Sequence, residues 1–398
     1  MTKSKQPQYR FDSFEEEWEE KKLGEISRMF SGGTPNVGIP EYYNGNIPFI
    51  RSAEINSDQT ELSITDKGLS NSSAKLVEKN TLLYALYGAT SGEVGLSRIS
   101  GAINQAILAI IPEKKYSSLF IKNWLYKQKS SIIEKYLQGG QGNLSGSIVK
   151  ELTIHFPSLP EQEAIGELFQ TVDQLLQLQD QKLTTLKEQK QTFLRKMFPA
   201  QGQKVPEIRL QGFDGEWEEK KLGEISRMFS GGTPSVGISE YYNGNIPFIR
   251  SSEINSDQTE LFITNKGLSN SSAKIVEKNT LLYALYGATS GEVGLSRISG
   301  AINQAILAII PEKKYSSLFI KNWLYKQKSS IIEKYLQGGQ GNLSGSIVKG
   351  LELYLPSLPE QEAIGDFFQT LDQQMSQTED KLIELKALKQ TLLNRLFV

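Results

Sequence analysis

Threonine, arginine, amide and serine side chains in glycine-punctuated loops are the groups of this 398-residue sequence best suited to chemistry, and each occurs twice. In the first half they are Thr34 within Ser31-Gly32-Gly33-Thr34-Pro35, Arg51 beside Ser52, Arg98, the pair Asn104-Gln105, and Gln138, Gln141, Asn143, Ser145 and Ser147 around a glycine run. The second half repeats them as Thr233, Arg250, Arg297, Gln340, Asn342 and Ser344. Such groups bind rather than break bonds. Arginine and amides pair bidentately with base edges, while lysine, hydroxyls and backbone N–H groups hold phosphates. Lys114, Lys115, Lys122, Lys127 and Lys129 add positive charge nearby. Ordinary solvated loops have the same composition, so an ion pair is the competing role for either arginine and a turn cap for either asparagine.

Catalytic constellations are missing. The sequence has no cysteine, which removes disulfides, thiolate nucleophiles and cysteine–zinc sites. Its one histidine, His155, faces Tyr354 in the repeat and reads as a strand residue. Neither a histidine-rich metal site nor a Ser-His-Asp triad can be assembled from that inventory. No catalytic, metal-ligating or cofactor-binding residue is therefore expected. The glycine-rich run at 88–95 lacks the Gly-Lys-Ser/Thr of a phosphate loop and is expected to be a turn between strands. Asn46-Ile47-Pro48-Phe49 resembles the Asn-Pro-Pro-Phe/Tyr loop with which amino-methyltransferases hold a flipped adenine. Its second residue is Ile, and no glycine-rich loop for a methyl donor precedes it, so a turn into a buried strand is expected.

The elements that must position these loops follow from the duplication. Residues 18–150 recur as 217–349, and the copies differ only at Asn36/Ser235, Pro40/Ser239, Ala53/Ser252, Ser63/Phe262, Asp66/Asn265 and Leu76/Ile275. A polar, Pro/Gly-marked stretch at 199–206 separates the halves. Within a module, 47–51, 81–87, 94–99, 102–111 and 152–156 read as strands, and 117–137 as a helix. The stretches after each module, 159–198 and 358–397, have diverged further. Ser158 with Glu161, and Ser357 with Glu360, read as capping boxes that open a helix. Apolar residues then recur in three-four steps: Ile165, Leu168, Val172, Leu175, Leu183 and Leu186 in one, and Ile364, Phe367, Leu371, Leu382 and Leu385 in the other. A narrow stripe of that length is a coiled-coil seam. Each arm would be ~55–60 Å long, and antiparallel pairing within the chain would bury both seams.

Bulk properties leave the partner open. The formal charge is −1, so a local stripe rather than a global excess would have to meet a polyanion. The first residues are polar, and no stretch is apolar for long enough to span a bilayer, so a soluble cytoplasmic protein is expected.

The order of motifs resembles the specificity subunits of type I restriction–modification systems. The resemblance rests on Arg10-Phe11 with Phe14 and Trp18, matched by Arg209-Leu210 with Phe213 and Trp217, and on Gly33-Thr34-Pro35, Tyr42-Tyr43, residues 45–50, and Pro157-Ser158-Leu159-Pro160-Glu161-Gln162, which are repeated in the second half. It implies a mixed α/β fold. Two globular target recognition domains are joined by two long helices that form an antiparallel coiled coil, with pseudo-twofold symmetry. The boundaries would be 1–157 for the first recognition domain, 158–198 for the first arm, 199–216 for the linker, 217–356 for the second domain and 357–398 for the second arm. It also implies a non-catalytic chain that binds double-stranded DNA at a bipartite site. Its partners would be two methyltransferase subunits, which bind S-adenosylmethionine and methylate adenine, and in some complexes a restriction subunit. Near-identity of the two modules departs from the family's usual pattern and points to a split, near-palindromic target. A protein-binding adaptor and a degenerate fused methyltransferase are the alternatives.

Overall fold

A computed structural model describes residues 6–137, 143–336 and 342–398. The chain divides into two compact units, residues 1–180 with 380–398, and residues 181–379. Each unit therefore combines one module with the start of its own arm and the end of the other.

Among the described residues the first unit contains ten strands in three sheets. Strands β1 (Glu19–Lys22), β2 (Ser27–Ser31), β3 (Tyr43–Ile50), β4 (Ser63–Ile64), β5 (Lys75–Val77), β6 (Leu82–Ala85), β7 (Val94–Leu96), β8 (Gly101–Ile103), β9 (Ile107–Pro112) and β10 (Thr153–Phe156) are joined by helices α1 (Asp66–Ser70), α2 (Ser118–Leu137) and α3 (Gly146–Lys150). One antiparallel sheet has the order β2-β9-β6-β7, and a mixed sheet the order β4-β3-β8-β5, in which β3 and β8 run parallel. A short ribbon pairs β1 with β10. The stretch 102–111, which reads as one strand in the sequence, is two. Asn104-Gln105 breaks it, and β8 and β9 belong to different sheets.

The first sheet is apolar on both faces because both are covered. Along β6, Leu82 and Tyr84 enter one cluster while Leu83 and Ala85 enter another; along β9, Leu108 and Ile110 alternate likewise with Ile107 and Ala109. This is the period of two that a strand imposes on its side chains. The larger cluster packs against α2, Trp18 and the arms, and the smaller lies between the two sheets, where Ile50 and Ile103 meet it. The second unit repeats this plan with the same sheet orders.

The arms are single helices, Leu159–Lys196 (arm 1) and Leu358–Leu396 (arm 2). Within the first unit Phe169 of arm 1 stacks on Phe397, the residue just past arm 2, while Asp173 meets Lys389 of arm 2. Rising numbers on one helix meet falling numbers on the other, so the segments run antiparallel. In the second unit Phe193 meets Phe367, Lys190 meets Asp372 and Lys187 meets Glu379, again antiparallel. Ile165, Val172, Leu183, Leu186, Ile364, Leu371 and Leu382 are buried; Leu168, Phe367 and Leu385 are half-buried. Leu175, by contrast, is 41 % exposed, and its neighbour Leu176 takes the inward position.

The residues that open each arm are held by long-range bonds. Glu161 is fully buried and takes a bidentate pair from Arg10, at 2.8 Å from both Nε and the terminal nitrogen. That carboxylate therefore goes to Arg10 rather than closing the capping box. Gln162 accepts the backbone N–H of Ser117 through Oε1 and donates to the Pro157 carbonyl. Gly166 lets α2 approach closely, because a Cβ there would lie 2.7 Å from Cβ of Leu119.

Phe397 lies against Phe120 at 5.0 Å and Phe169 at 5.8 Å between ring centroids. Truncating such a residue leaves a cavity as well as lost burial. The Phe397→Ala variant should lose about 3–5 kcal/mol of stability in denaturant unfolding. A loss below about 1 kcal/mol would mean that the last turn of arm 2 is not part of this core.

Candidate nucleic-acid interface

One edge of each module collects the ends of several strands. The Thr34 hydroxyl donates to Oε1 of Gln105 at 2.5 Å, joining the loop after β2 to the break between β8 and β9. Asn104 N–H donates to the Ile50 carbonyl at 3.3 Å, which brings in the end of β3 and Arg51. Leu86 N–H donates to the Ala106 carbonyl, and Leu144 N–H donates to the Leu86 carbonyl, which adds the glycine turn after β6 and the segment before α3. Thr34, Arg51, Gln105, Asn143 and Ser145 thus belong to one rim. Gly32 is required there, because a Cβ would fall 1.8 Å from the Ile103 carbonyl oxygen.

The residues of this rim differ in what they can offer. Thr34, Gln105 and Asn143 are exposed. The Ser145 hydroxyl accepts the Ile148 N–H as the cap of α3 and sits 2.7 Å from the Ser147 hydroxyl. Arg51 is engaged within the protein. Its Nε and a terminal nitrogen each lie 3.1 Å from Glu54, and that terminal nitrogen is 2.5 Å from Glu61. The guanidinium shapes the turn Ser52–Glu54, and only a partner that displaces a carboxylate could use it as a reader. The Arg-x-x-Glu spacing, three residues apart, was the available sequence signal for this ion pair.

Other candidates lie elsewhere. Arg98 is exposed on the turn between β7 and β8, where Ser97 N–H bonds the Thr81 carbonyl and Lys79 N–H bonds Ser100. That turn is at the other end of β6, away from the rim. Three of the nearby lysines hold the structure together: Lys122 pairs with Asp173, Lys127 donates to the Phe397 carbonyl and Lys129 pairs with Glu93. Gln141 lies outside the described residues, as does Gln340. His155 faces Glu20 across the β1–β10 ribbon, with Nε2 3.3 Å from the carboxylate. The run at 88–95 turns the chain from β6 to β7, with Gly88 and Gly92 at positive φ, and Asn46-Ile47-Pro48-Phe49 lies in β3 and ends in buried Phe49.

The second module reproduces these placements. Thr233 donates to Gln304, Arg250 is bound by Glu253 and Glu260, and Ser344 caps the equivalent short helix. Asn342 is exposed, and Arg297 is exposed on the turn equivalent to that of Arg98. Among the described residues no three His, Asp or Glu side chains are grouped to hold a metal, and no helix is long and apolar enough to cross a membrane.

The sequence model for the type I restriction modification DNA specificity domain matches residues 15–188 and again 214–387. The chain belongs to this family. A specificity subunit of this kind recognises DNA target sequences and is itself non-catalytic. The chain is 23 % identical to the type I restriction enzyme MjaIX specificity subunit of Methanocaldococcus jannaschii, across 96 % of this chain and 92 % of that protein. It is 27 % identical to the EcoR124I/EcoR124II specificity subunit of Escherichia coli, over 44 % of this chain and 46 % of that one. The fold is similar to that of the type I S subunit from M. genitalium, with a TM-score of 0.70 and 19 % identity across 99 % of both chains.

The Arg250 site sets an acid limit. Burial pushes the Glu253 carboxyl up, but Arg250 and the backbone N–H groups of Glu260 and Arg250 outweigh it and hold the group at about 2, below its ordinary 4.5. A depressed carboxyl pKa contributes stability that is complete above the ordinary value and is lost as pH falls through the depressed one. The Glu253→Gln variant should therefore be less stable than the parent at neutral pH, with the gap closing between pH 4.5 and about 2. Unfolding curves that keep a constant gap across that window would show that the ion pair contributes nothing.

Proposed function

We propose that this specificity subunit directs modification to a split DNA site whose two halves are inverted copies of one sequence, or close to it. The observation that carries this reading is the identity of the two reading surfaces. The six differences between residues 18–150 and 217–349 all fall at positions 36 to 76, while Thr34, Gln105, Asn143, Ser145 and their counterparts are the same. Two equal readers presented in opposed directions select inverted half-sites, as symmetric dimers select palindromes. Antiparallel arms are the device that would present them so.

In this reading the arms also serve as a ruler and as the platform for two methyltransferase subunits. Those partners would bring S-adenosylmethionine and methylate adenine, and a restriction subunit would join in complexes that cleave. Covalent linkage raises the effective concentration of the second module once the first is bound, provided the spacing fits. Phosphate contacts would make the binding strongly salt-dependent.

Mapping methylated adenines in a host that expresses this chain with its methyltransferase should give one motif with two inverted half-sites at a fixed separation. Two unrelated half-sites would refute the near-palindrome. Inserting a few base pairs between the halves should abolish modification, and unchanged modification would show that the arms are no ruler.

A further inference from the structure

Each arm places one lysine in a seam lined mainly by apolar side chains. In arm 1, Leu183, Leu186, Leu194 and Met197 are buried, and so is Lys190 between them, at 9 % exposure. In arm 2, Leu382, Leu393 and Leu396 are buried, and the Lys389 side chain between them is 16 % exposed. A buried ammonium is costly unless it is paired.

Both lysines are paired in the same way. Lys389 Nζ lies 2.6 Å from Oδ1 of Asp173 on arm 1 and 4.5 Å from the ring centroid of Tyr126 on α2. The other oxygen of Asp173 accepts from Lys122 of α2 at 2.9 Å. In the second unit Lys190 lies 2.5 Å from Oδ1 of Asp372 and 4.8 Å from the Tyr325 ring, and Oδ2 of Asp372 accepts from Lys321 at 2.9 Å. One carboxylate thus ties together its own arm, the opposite arm and the module helix. The seam has diverged around these groups, with Leu176 against Met375, Gln179 against Thr378 and Phe193 against Leu392 at equivalent positions. The aspartate and both lysines are the same in the two copies.

Leucine-rich seams tolerate more than one stagger, and a single buried polar contact selects among them. Sliding one arm along the other would strand each lysine among leucines without its carboxylate. We propose that Asp173–Lys389 and Asp372–Lys190 are register pins that hold the arm pair at one stagger. Lys122 and Lys321 seat each recognition module on that pin, so these positioning residues determine which spacer length between half-sites is accepted. This inference rests on the reading of the arms as a ruler.

The test compares spacer profiles of the complete complex with its methyltransferase, on DNA whose half-sites stand at the native separation or one and two base pairs away. The Lys190→Met/Lys389→Met variant leaves each aspartate its module lysine and makes the seam apolar, so its melting temperature should equal or exceed the parent's. Its methylation of the off-length sites, relative to the native site, should rise about tenfold or more, the equivalent of 1.4 kcal/mol. Lys190→Gln/Lys389→Gln retains a hydrogen-bond donor and should keep the parent's profile. A Met variant that assembles and keeps the parent's profile overturns the proposal, whatever its melting temperature. If that variant does not assemble, Asp173→Asn/Asp372→Asn takes its place, with the same broadening expected and an unchanged profile again decisive against the pins. A parent complex indifferent to spacer length would instead remove the ruler itself.

Discussion

Neither recognition module contains its whole core; the last turn of the opposite arm completes each one. Phe397 lies among Phe120, Phe156 and Phe169 in the first unit, and Phe198 meets Trp217, Phe319 and Phe368 in the second. The end of each arm is fixed again at its backbone. Lys127 donates to the Phe397 carbonyl, and Lys326 donates to the carbonyls of Phe198 and Pro199. Burial depresses the pKa of both ammonium groups, so each is a charge the protein has desolvated to hold a helix end, where cations are favoured. The same closure appears before each module: Tyr9 N–H bonds the Arg395 carbonyl as Ile208 N–H bonds that of Lys196. The core of each module is therefore complete only where the two arm segments pair.

That dependence explains which parts of the architecture could be read from residues alone. The arms were legible because a seam obeys one rule over many turns, and Ile165, Val172, Leu183 and Leu186 all obey it. The rule failed locally at Leu175-Leu176, where a step of three and a step of four from Val172 both land on leucine. Only packing against the second helix decides between them. The strands were less legible for the opposite reason. β1 is Glu-Glu-Lys-Lys, polar throughout because it belongs to a two-stranded ribbon, and α1 and α3 are too short to show a period. The run 102–111 looked continuous because β8 and β9 are both apolar, although they serve different sheets.

The rim was legible in type and not in state. Thr34, Asn143 and Ser145 share an edge because strand ends converge there, and glycines and amides mark such ends in sequence. What the pattern did not reveal is that Arg51 is already neutralised by Glu54 and Glu61, or that Lys122, Lys127 and Lys129 are tied to the protein's own acceptors. Counting basic residues overestimates the charge a module can present, since a lysine bound to aspartate offers little to a phosphate. That Arg98 lies apart from the rim was not legible for a simpler reason: both ends of a hairpin carry polar residues, and only the sheet order says which end faces the loops of interest.

A module that engages several of its own cations bears on how such a protein would distinguish its site. Phosphate attraction favours every DNA sequence equally, so tying Arg51, Lys122, Lys127 and Lys129 to the protein's own acceptors would lower non-specific affinity on each module. In the proposed reading, selectivity comes from neutral donors and acceptors at strand ends, and from the requirement that two such surfaces engage together. The first depends on the Thr34–Gln105 and Ser145 hydrogen bonds that fix the rim, the second on arms whose ends are built into both cores. Under that reading weak single contacts and the covalent link reinforce each other: the weaker each module is alone, the more the bound state would depend on both half-sites standing at the distance the arms allow.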